Sequence, residues 1–313
     1  TIYKEYEFTS PLKIGENILS KRKVYHIYLN DLLVSELSPL PGLHSESLDQ
    51  AYLTLQELIK IIEKKLVNID SETKVDELKW DITFFGLIPD LAKSSKILPS
   101  SVVFAIELAL FNFFSKKTIH DFETCFLDFK SKSVERDGFL KLKIGREGLK
   151  KEKFKIHEYI DNTNLILRLD GNNKLSAEMI FKLIEGIPKA RIHYLEDPFI
   201  NLNELIKYLT SPNSNIPIAL DENLSLFEKS VINSFPNKGL LRYGIIKPNI
   251  VGGISQSIKI AKKLISNSKG TVLSSSFESH VGIEGINKLR LTFPDLFEEV
   301  PGLDTLRYFT SGR

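Results

Sequence analysis

One cysteine, Cys125, stands in the whole chain. A lone thiol closes no disulfide within the chain and builds no cysteine metal cluster. A reducing, cytoplasmic setting is therefore the expectation. A dominant charge is also missing: 42 Lys and Arg against 40 Asp and Glu leave a net +2. That balance carries no electrostatic footprint for nucleic acid, and the densest basic run, Lys21-Arg22-Lys23, reads as a solvated loop. No stretch approaches the roughly 18 apolar residues of a membrane span, so none is expected. The first residues, Thr1-Ile2-Tyr3-Lys4-Glu5, lack a signal-peptide pattern. Neither common Gly-rich phosphate motif occurs. His26, His44, His120, His157 and His193 show no metal-ligand spacing.

What is present is ordinary in bulk. The chain has 313 residues, 42% apolar and 26% charged, as in globular proteins of one or two domains. Its two parts differ in rhythm. Residues 2–9 and 23–36 alternate as antiparallel strands, with Val24, His26 and Tyr28 on one face. Glu36-Leu37-Ser38-Pro39-Leu40-Pro41-Gly42 is a loop by its prolines and glycine. Ser47-x-x-Gln50 is a capping box. It predicts a helix with Leu48, Ala51, Tyr52, Leu55, Leu58, Ile59 and Ile62 on its apolar stripe. A second helix is expected over 101–115. Residues 1–100 thus read as a small α+β domain, with the C-terminal tail packing against it.

From about residue 120 short apolar runs recur, each closed by a polar residue. They end at positions 143, 170, 196, 221, 247 and 274, at intervals of 27, 26, 25, 26 and 27 residues. A fixed period of this size is a repeated supersecondary unit. The segments between carry helical stripes, such as Ala177, Ile180, Phe181, Leu183 and Ile184, or Ile254, Ile258, Ala261 and Leu264. Strand and helix in alternation give a parallel sheet, and six units in a row point to a (β/α) barrel over 101–313. An earlier strand near 125–129 and a later one near 297–303 would bring the count to eight.

In such a barrel the reacting groups sit at the C-terminal strand ends. Those ends carry Lys143, Asp170, Glu196, Asp221, Lys247 and Ser274. Neighbouring strands lie about 4.8 Å apart, so Asp170, Glu196 and Asp221 converge on the barrel mouth. Three carboxylates that close need a cation, and hard oxygen donors without His or Cys point to Mg²⁺ or Mn²⁺. Lys141 shares a strand face with Lys143 because side chains alternate with period two. A like charge and a nearby metal both disfavour the ammonium of Lys143, which makes it a credible base. Lys247 approaches from the other side. Any one of these residues alone is ordinarily a solvated strand end or a helix cap; the ordered set of five is not. Gly252-Gly253 opens a helix after Lys247. A substrate carboxylate at that helix N-terminus and a simple turn requirement both account for it.

These residues resemble the enolase superfamily, in which an N-terminal α+β capping domain covers a modified (β/α)7β barrel. The similar segments are Lys141-x-Lys143, Asp170-Gly171-Asn172, Glu196-Asp197-Pro198, Asp221-Glu222 and Lys247-Pro248-Asn249. Further segments are similar to the o-succinylbenzoate synthase family: the loop 36–42, Leu167-Arg168-Leu169-Asp170, Ser274-Ser275-Ser276-Phe277-Glu278-Ser279 and Pro301-Gly302-Leu303-Asp304-Thr305-Leu306. Asn173 and Leu175 depart from the Arg and Trp that other members often carry. The resemblance implies Mg²⁺-assisted syn-dehydration of 2-succinyl-6-hydroxy-2,4-cyclohexadiene-1-carboxylate to o-succinylbenzoate, through an enediolate, in menaquinone biosynthesis. It implies Asp170, Glu196 and Asp221 as metal ligands, Lys143 as base and then acid, and Lys247 as a standing cation. It places Lys141, Ser274 and Gly252 on the substrate side, and Arg168, Asn172 and Glu222 behind the metal ligands.

The expected partner is a small-molecule carboxylate, with no nucleic acid and no membrane. The competing reading within the superfamily is N-acylamino acid or dipeptide racemisation, because two facing lysines can serve both faces of a substrate. A mandelate-racemase-type site needs a late His base; His280 lies past Ser274 without an Asp partner at the preceding strand end and reads as structural. A non-catalytic barrel would lack one of the five ionisable residues, and all are present.

Overall fold

A computed structural model describes residues 1–66, 98–114, 122–128, 137–228 and 236–310, apart from the side chains of 61–66, 114 and 228. The chain opens with an antiparallel sheet of β1 (Ile2–Ile14), β2 (Asn17–Leu29) and β3 (Leu32–Leu37). Residues 23–36, expected as one strand, break at Asn30 and Asp31, whose φ values are 48° and 62°. Short polar side chains tolerate this left-handed turn, and two in a row make a tight hairpin. Lys21-Arg22-Lys23 is strand rather than solvated loop: alternation turns Arg22 inward, and it is 1% exposed.

Helix α1 (Leu48–Leu66) follows the capping box as expected. Ser47 N–H donates to Gln50 Oε1 at 2.9 Å, and Gln50 N–H returns to Ser47 Oγ at 3.2 Å. Ala51, Leu55 and Leu58 face Ile27, Val34 and Leu37 of the sheet; Ile62 falls among the side chains outside the described residues. Helix α2 (Ser100–Phe114) is apolar on two sides. Val102, Ala105 and Ile106 join the core of the N-terminal sheet, while Phe104, Leu108 and Phe111 pack on Ile254, Ile258, Ile283 and Ile286. A helix apolar on two sides belongs between two layers, and α2 is the shared wall of both.

The second sheet is parallel throughout, in the order β10-β9-β8-β7-β6-β5-β4. Its strands are β4 (Phe126–Leu127), β5 (Phe139–Lys143), β6 (Ile166–Asp170), β7 (Ile192–Glu196), β8 (Ile218–Leu220), β9 (Leu241–Ile246) and β10 (Gly270–Leu273). Between them run α3 (Leu149–Asn162), α4 (Ala177–Ile184), α5 (Leu202–Thr210), the short α6 (Pro248–Val251) and α7 (Gly253–Ser266); α8 (His280–Thr292) follows β10. Leu140, Leu142, Leu167, Leu169 and Leu195 point outward into a layer with Ile156, Ile180, Leu183 and Leu205. Each such buried side chain contributes on the order of 2 kcal/mol. Tyr194, Ala219, Tyr243, Ile245 and Val272 form a separate buried cluster on the opposite, inward face of the strands.

The ring closes through residues 301–302 rather than a full eighth strand. Gly302 N–H donates to Leu273 O at 2.8 Å, Ser275 N–H to Gly302 O at 3.1 Å, and Cys125 N–H to Pro301 O at 2.7 Å. These backbone bonds bridge the last strand to the start of the first. Phe129, within the early strand that the sequence predicts, lies outside the described residues. The tail returns to β1, where Phe309 bridges Phe8 and Thr310 N–H donates to Glu7 O at 2.9 Å. Among the described residues no helix is long and apolar enough to cross a membrane.

Candidate active site

Strand register brings the strand-end residues together. Lys143 pairs with Asp170, and Asp170 with Glu196, so three ionisable side chains stand abreast at one rim. Glu196 pairs with Ala219, and Asp221 follows two residues later on the same face. Lys247 and Ser274 come directly after β9 and β10. The structure thus assembles all six from strands that are remote in sequence.

Lysines hold the carboxylates. Lys141 Nζ lies 2.7 Å from Glu196 Oε1 and 3.0 Å from Asp170 Oδ2, and Lys247 pairs with Asp221 Oδ2. Lys141, expected on the substrate side, here bridges two of the predicted metal ligands. Among the described residues no three His, Cys, Asp or Glu side chains already surround one point. Asp170 and Glu196 nevertheless share a single ammonium, that of Lys141, at 3.0 and 2.7 Å. Burial pushes the Glu196 carboxyl up, and Asp170 and Asp221 add to the rise against the pull of Lys141. Burial also acts on Asp170, but Lys141 and Lys143 overcome it and hold that carboxyl below its ordinary value. A set of carboxylate oxygens alone, close enough to destabilise one another's charge, fits a hard divalent cation.

The two flanking lysines differ. Burial lowers the Lys143 pKa to about 8; Asp170 opposes the drop, and Lys141, Arg146 and Lys247 support it. Burial, ahead of the like charge of Lys141, is thus the main cause. Burial acts on Lys247 as well, but Asp221 more than offsets it and raises its pKa.

The remaining predicted residues sort by position. Asn172 donates to Asp170 Oδ1 from its backbone N–H at 3.2 Å and again from its side chain, so it orients a predicted ligand. Glu222 acts through its backbone: its N–H donates to Asp197 Oδ2 at 2.9 Å while the side chain is exposed. Arg168 pairs with Lys141 one level below the rim. It donates to Val300 O at 2.7 Å and His193 Nδ1 at 3.2 Å, with its guanidinium 4.6 Å from the Phe139 ring centroid. It braces the barrel interior and bonds none of the three carboxylates. Ser274 Oγ donates to Gly302 O at 3.3 Å, at the seam that closes the ring.

For Gly252 the turn explanation prevails. Its φ is 103°, and it ends α6 and starts α7. The first amides of α7 are taken by the chain itself: Ser255 N–H donates to Glu107 Oε2 at 2.8 Å. A substrate carboxylate at this helix end is therefore corrected to the Glu107 carboxylate from α2, which burial raises to about 6. Glu107 escaped the sequence reading because an acid within an apolar helix carries no local signal.

Two other acids were missed. Glu152 accepts from Gly145, Arg146 and Glu147 N–H at 2.9, 2.6 and 2.8 Å and shapes the loop after Lys143. Its signal was an acid in the first turn of the following helix. Asp197 is buried, anchors Glu222, and has φ 33°; its place directly after Glu196 marked it without revealing a role.

The loop 36–44 is bonded to the same end of the barrel. Arg22 donates to Phe277 O at 2.9 Å, to Pro39 O at 2.6 Å and to Ser38 O. Glu36 accepts from Ser279 N–H at 3.1 Å, and His44 Nε2 lies 3.0 Å from Asn249 O.

The segment between Asp170 and Asn172 leaves no room for a larger residue. A Cβ on Gly171 would stand 2.5 Å from Pro198 Cα and 3.0 Å from Pro198 O. Backbone cannot yield as a side chain can. Gly171→Ala is expected to cost about 1–3 kcal/mol through overpacking and to pull Asp170 away from Glu196. A thermal melt and a Mg²⁺ titration measure the two effects; wild-type values in both would refute the placement.

No family model matches the chain. Among curated proteins, the o-succinylbenzoate synthase of Vibrio cholerae serotype O1 (strain ATCC 39315 / El Tor Inaba N16961) is 24% identical over 282 residues, covering 88% of this chain and 78% of that protein. The o-succinylbenzoate synthase of Pasteurella multocida (strain Pm70) is 30% identical over 148 residues, covering 46% of this chain and 42% of its own length. Protein PHYLLO, chloroplastic, of Arabidopsis thaliana is 26% identical over 161 residues, covering 49% of this chain and 9% of the plant protein. The chain thus spans less than half the length of the last two.

Solved structures share the fold. The L-Ala-D/L-Glu epimerase of Bacillus subtilis superposes with TM-score 0.70 at 16% identity, covering 99% of this chain and 89% of that one. The o-succinylbenzoate synthase of Thermosynechococcus elongatus BP-1, complexed with Mg in the active site, gives 0.65 at 16%, covering 99% and 93%. A member of the enolase superfamily from Listeria innocua gives 0.67 at 20%, covering 99% and 86%. The chain has the enolase-superfamily fold and resembles o-succinylbenzoate synthases.

Proposed function

We propose that this protein is an o-succinylbenzoate synthase, which dehydrates 2-succinyl-6-hydroxy-2,4-cyclohexadiene-1-carboxylate in menaquinone biosynthesis. The observation that carries this reading over its closest rival is the likeness to curated o-succinylbenzoate synthases, one of them 24% identical over 88% of this chain. Dehydration on one face needs one group that gives and takes a proton, together with a fixed positive charge. Lys143, with its pKa lowered to about 8, suits the first task, and Lys247, across the carboxylates from it, suits the second.

Asp170, Glu196 and Asp221 would hold Mg²⁺, in keeping with the Mg bound in the Thermosynechococcus structure. When bound, the cation acidifies the proton α to the substrate carboxylate and offsets developing enediolate charge. Lys143 Nζ removes that proton. The Lys247 ammonium faces the growing negative charge from the other side, where a fixed cation stabilises it without reorganisation. Lys143 then returns its proton to the departing hydroxyl on the same face. The loop 36–44, fastened by Arg22 and Asn249, excludes water from the mouth.

The second reading is racemisation or epimerisation of an N-acylamino acid or dipeptide, favoured by the superposition on the Bacillus epimerase. A substrate panel separates them. The cyclohexadiene acid, N-succinyl amino acids and L-Ala-D/L-Glu are each supplied with Mg²⁺, and o-succinylbenzoate formation and loss of optical activity are followed. The expected kcat/KM for the cyclohexadiene acid exceeds the others by at least about tenfold, one factor of 1.4 kcal/mol in transition-state binding. Turnover of an amino acid or dipeptide with no dehydration refutes the synthase.

A further inference from the structure

Asn249 lies two residues after Lys247, and its side chain is 0% exposed. Its Nδ2 donates to Ser38 O at 2.9 Å and to Ser276 Oγ at 3.2 Å. Its backbone O meets His44 Nε2, whose partner nitrogen, Nδ1, accepts from Leu40 N–H at 2.8 Å. One residue of the Lys247 turn is therefore held twice by the loop 38–44 and once by the loop after β10. Among the described residues its Oδ1 is buried without a hydrogen-bond partner.

The turn it holds is weak on its own. Helix α6 has four residues and no side-chain cap, and starts at Pro248. Ile250 and Val251 N–H both donate to Lys247 O, at 2.9 and 3.0 Å. So short a helix has little intrinsic stability, and its placement depends on outside anchors. Ser38 O also accepts from Arg22, so the loop keeps an attachment without Asn249. What Asn249 adds is the link from the loop to Lys247.

We infer that Asn249 is a positioning residue that ties the Lys247 turn to the cap loop, so that Lys247 reaches its working place only with the loop down. This rests on reading Lys247 as a working group of the site. Loop closure would then complete the catalytic set as well as exclude water.

The test compares Asn249→Ala and the near-isosteric Asn249→Leu with the unsubstituted chain. The first measurement needs no substrate: acetic anhydride labelling in metal-free buffer, read by peptide mass spectrometry at Lys143 and Lys247. Both variants are expected to raise Lys247 labelling roughly fivefold, the factor one net hydrogen bond sets, and to leave Lys143 unchanged. The second uses Mg²⁺ and a substrate analogue unable to eliminate, in D₂O, where Lys143 removes the α-proton and Lys247 stabilises the charge left behind. Exchange is expected to slow by a similar factor in both variants, while Lys143 labelling stays at its original level. Parallel changes in labelling at both lysines mean general disruption and overturn the inference, as does unchanged Lys247 labelling. If the unsubstituted chain exchanges no α-proton, the proposed chemistry is what fails, and the labelling pattern decides the role of Asn249 alone.

Discussion

Lys143→Ala is expected to lower kcat/KM by about 10⁴-fold or more, because one side chain serves as both general base and general acid. That factor corresponds to about 5.5 kcal/mol of transition-state stabilisation. The fold should survive, since Lys143 ends its strand with a side chain that the barrel mouth crowds but leaves open to solvent, and its removal leaves the Lys141 bridge to Asp170 and Glu196 in place. Lys247→Ala is also expected to be severely impaired, through loss of a fixed cation, yet the two should separate in D₂O. With an analogue unable to eliminate, Lys247→Ala keeps a slow α-proton exchange and Lys143→Ala loses it. The reverse pattern would make Lys247 the base. The pH profile carries the same assignment. A base must be neutral, so kcat/KM rises with pH through the lysine pKa and levels off above it. The Lys143 value of about 8 places this limb in mildly alkaline solution, and a divalent cation beside the amine shifts it towards lower pH.

Removal of the metal should be as severe. Chelation with EDTA is expected to abolish turnover, and Mg²⁺ or Mn²⁺ to restore it. Full turnover in metal-free buffer would exclude the arrangement of Asp170, Glu196 and Asp221 as a cation site. In the apo protein Lys141 and Lys247 balance these acids, so the chain should remain folded and simply lose activity. Mg²⁺ at 100 times its Kd should then stabilise the protein by about 2.7 kcal/mol, since it binds the folded state alone. Asp221→Asn removes one charged donor and should abolish both the rescue and the thermal shift. An unchanged shift would place the cation elsewhere.

The order of the site was legible in the chain because a parallel barrel converts spacing into adjacency. Intervals of 25–27 residues between Lys143, Asp170, Glu196, Asp221 and Lys247 set the five around one rim whatever the loops between them do. The capping box at Ser47 and the apolar face of α1 were equally local signals. Where the reading failed, the deciding contact was remote. Arg22 looked like part of a solvated basic run, but its alternation partner Val24 turns it inward to meet Phe277, 255 residues away. The Gly252 helix end looked open to a substrate carboxylate, but Glu107 from another helix already fills it.

The sequence by itself determined which residues stand at the strand ends, in what order, and on which face, because strand alternation and the repeat period are properties of neighbouring residues. Tertiary structure decided the electrical state of each. Lys141 and Lys143 are two residues apart and chemically identical, yet one bridges Asp170 and Glu196 with its pKa raised well above the ordinary value, while burial brings the other to about 8. That difference depends on distances to charges on other strands and on how much water the surrounding fold leaves, and neither quantity exists until the barrel has closed.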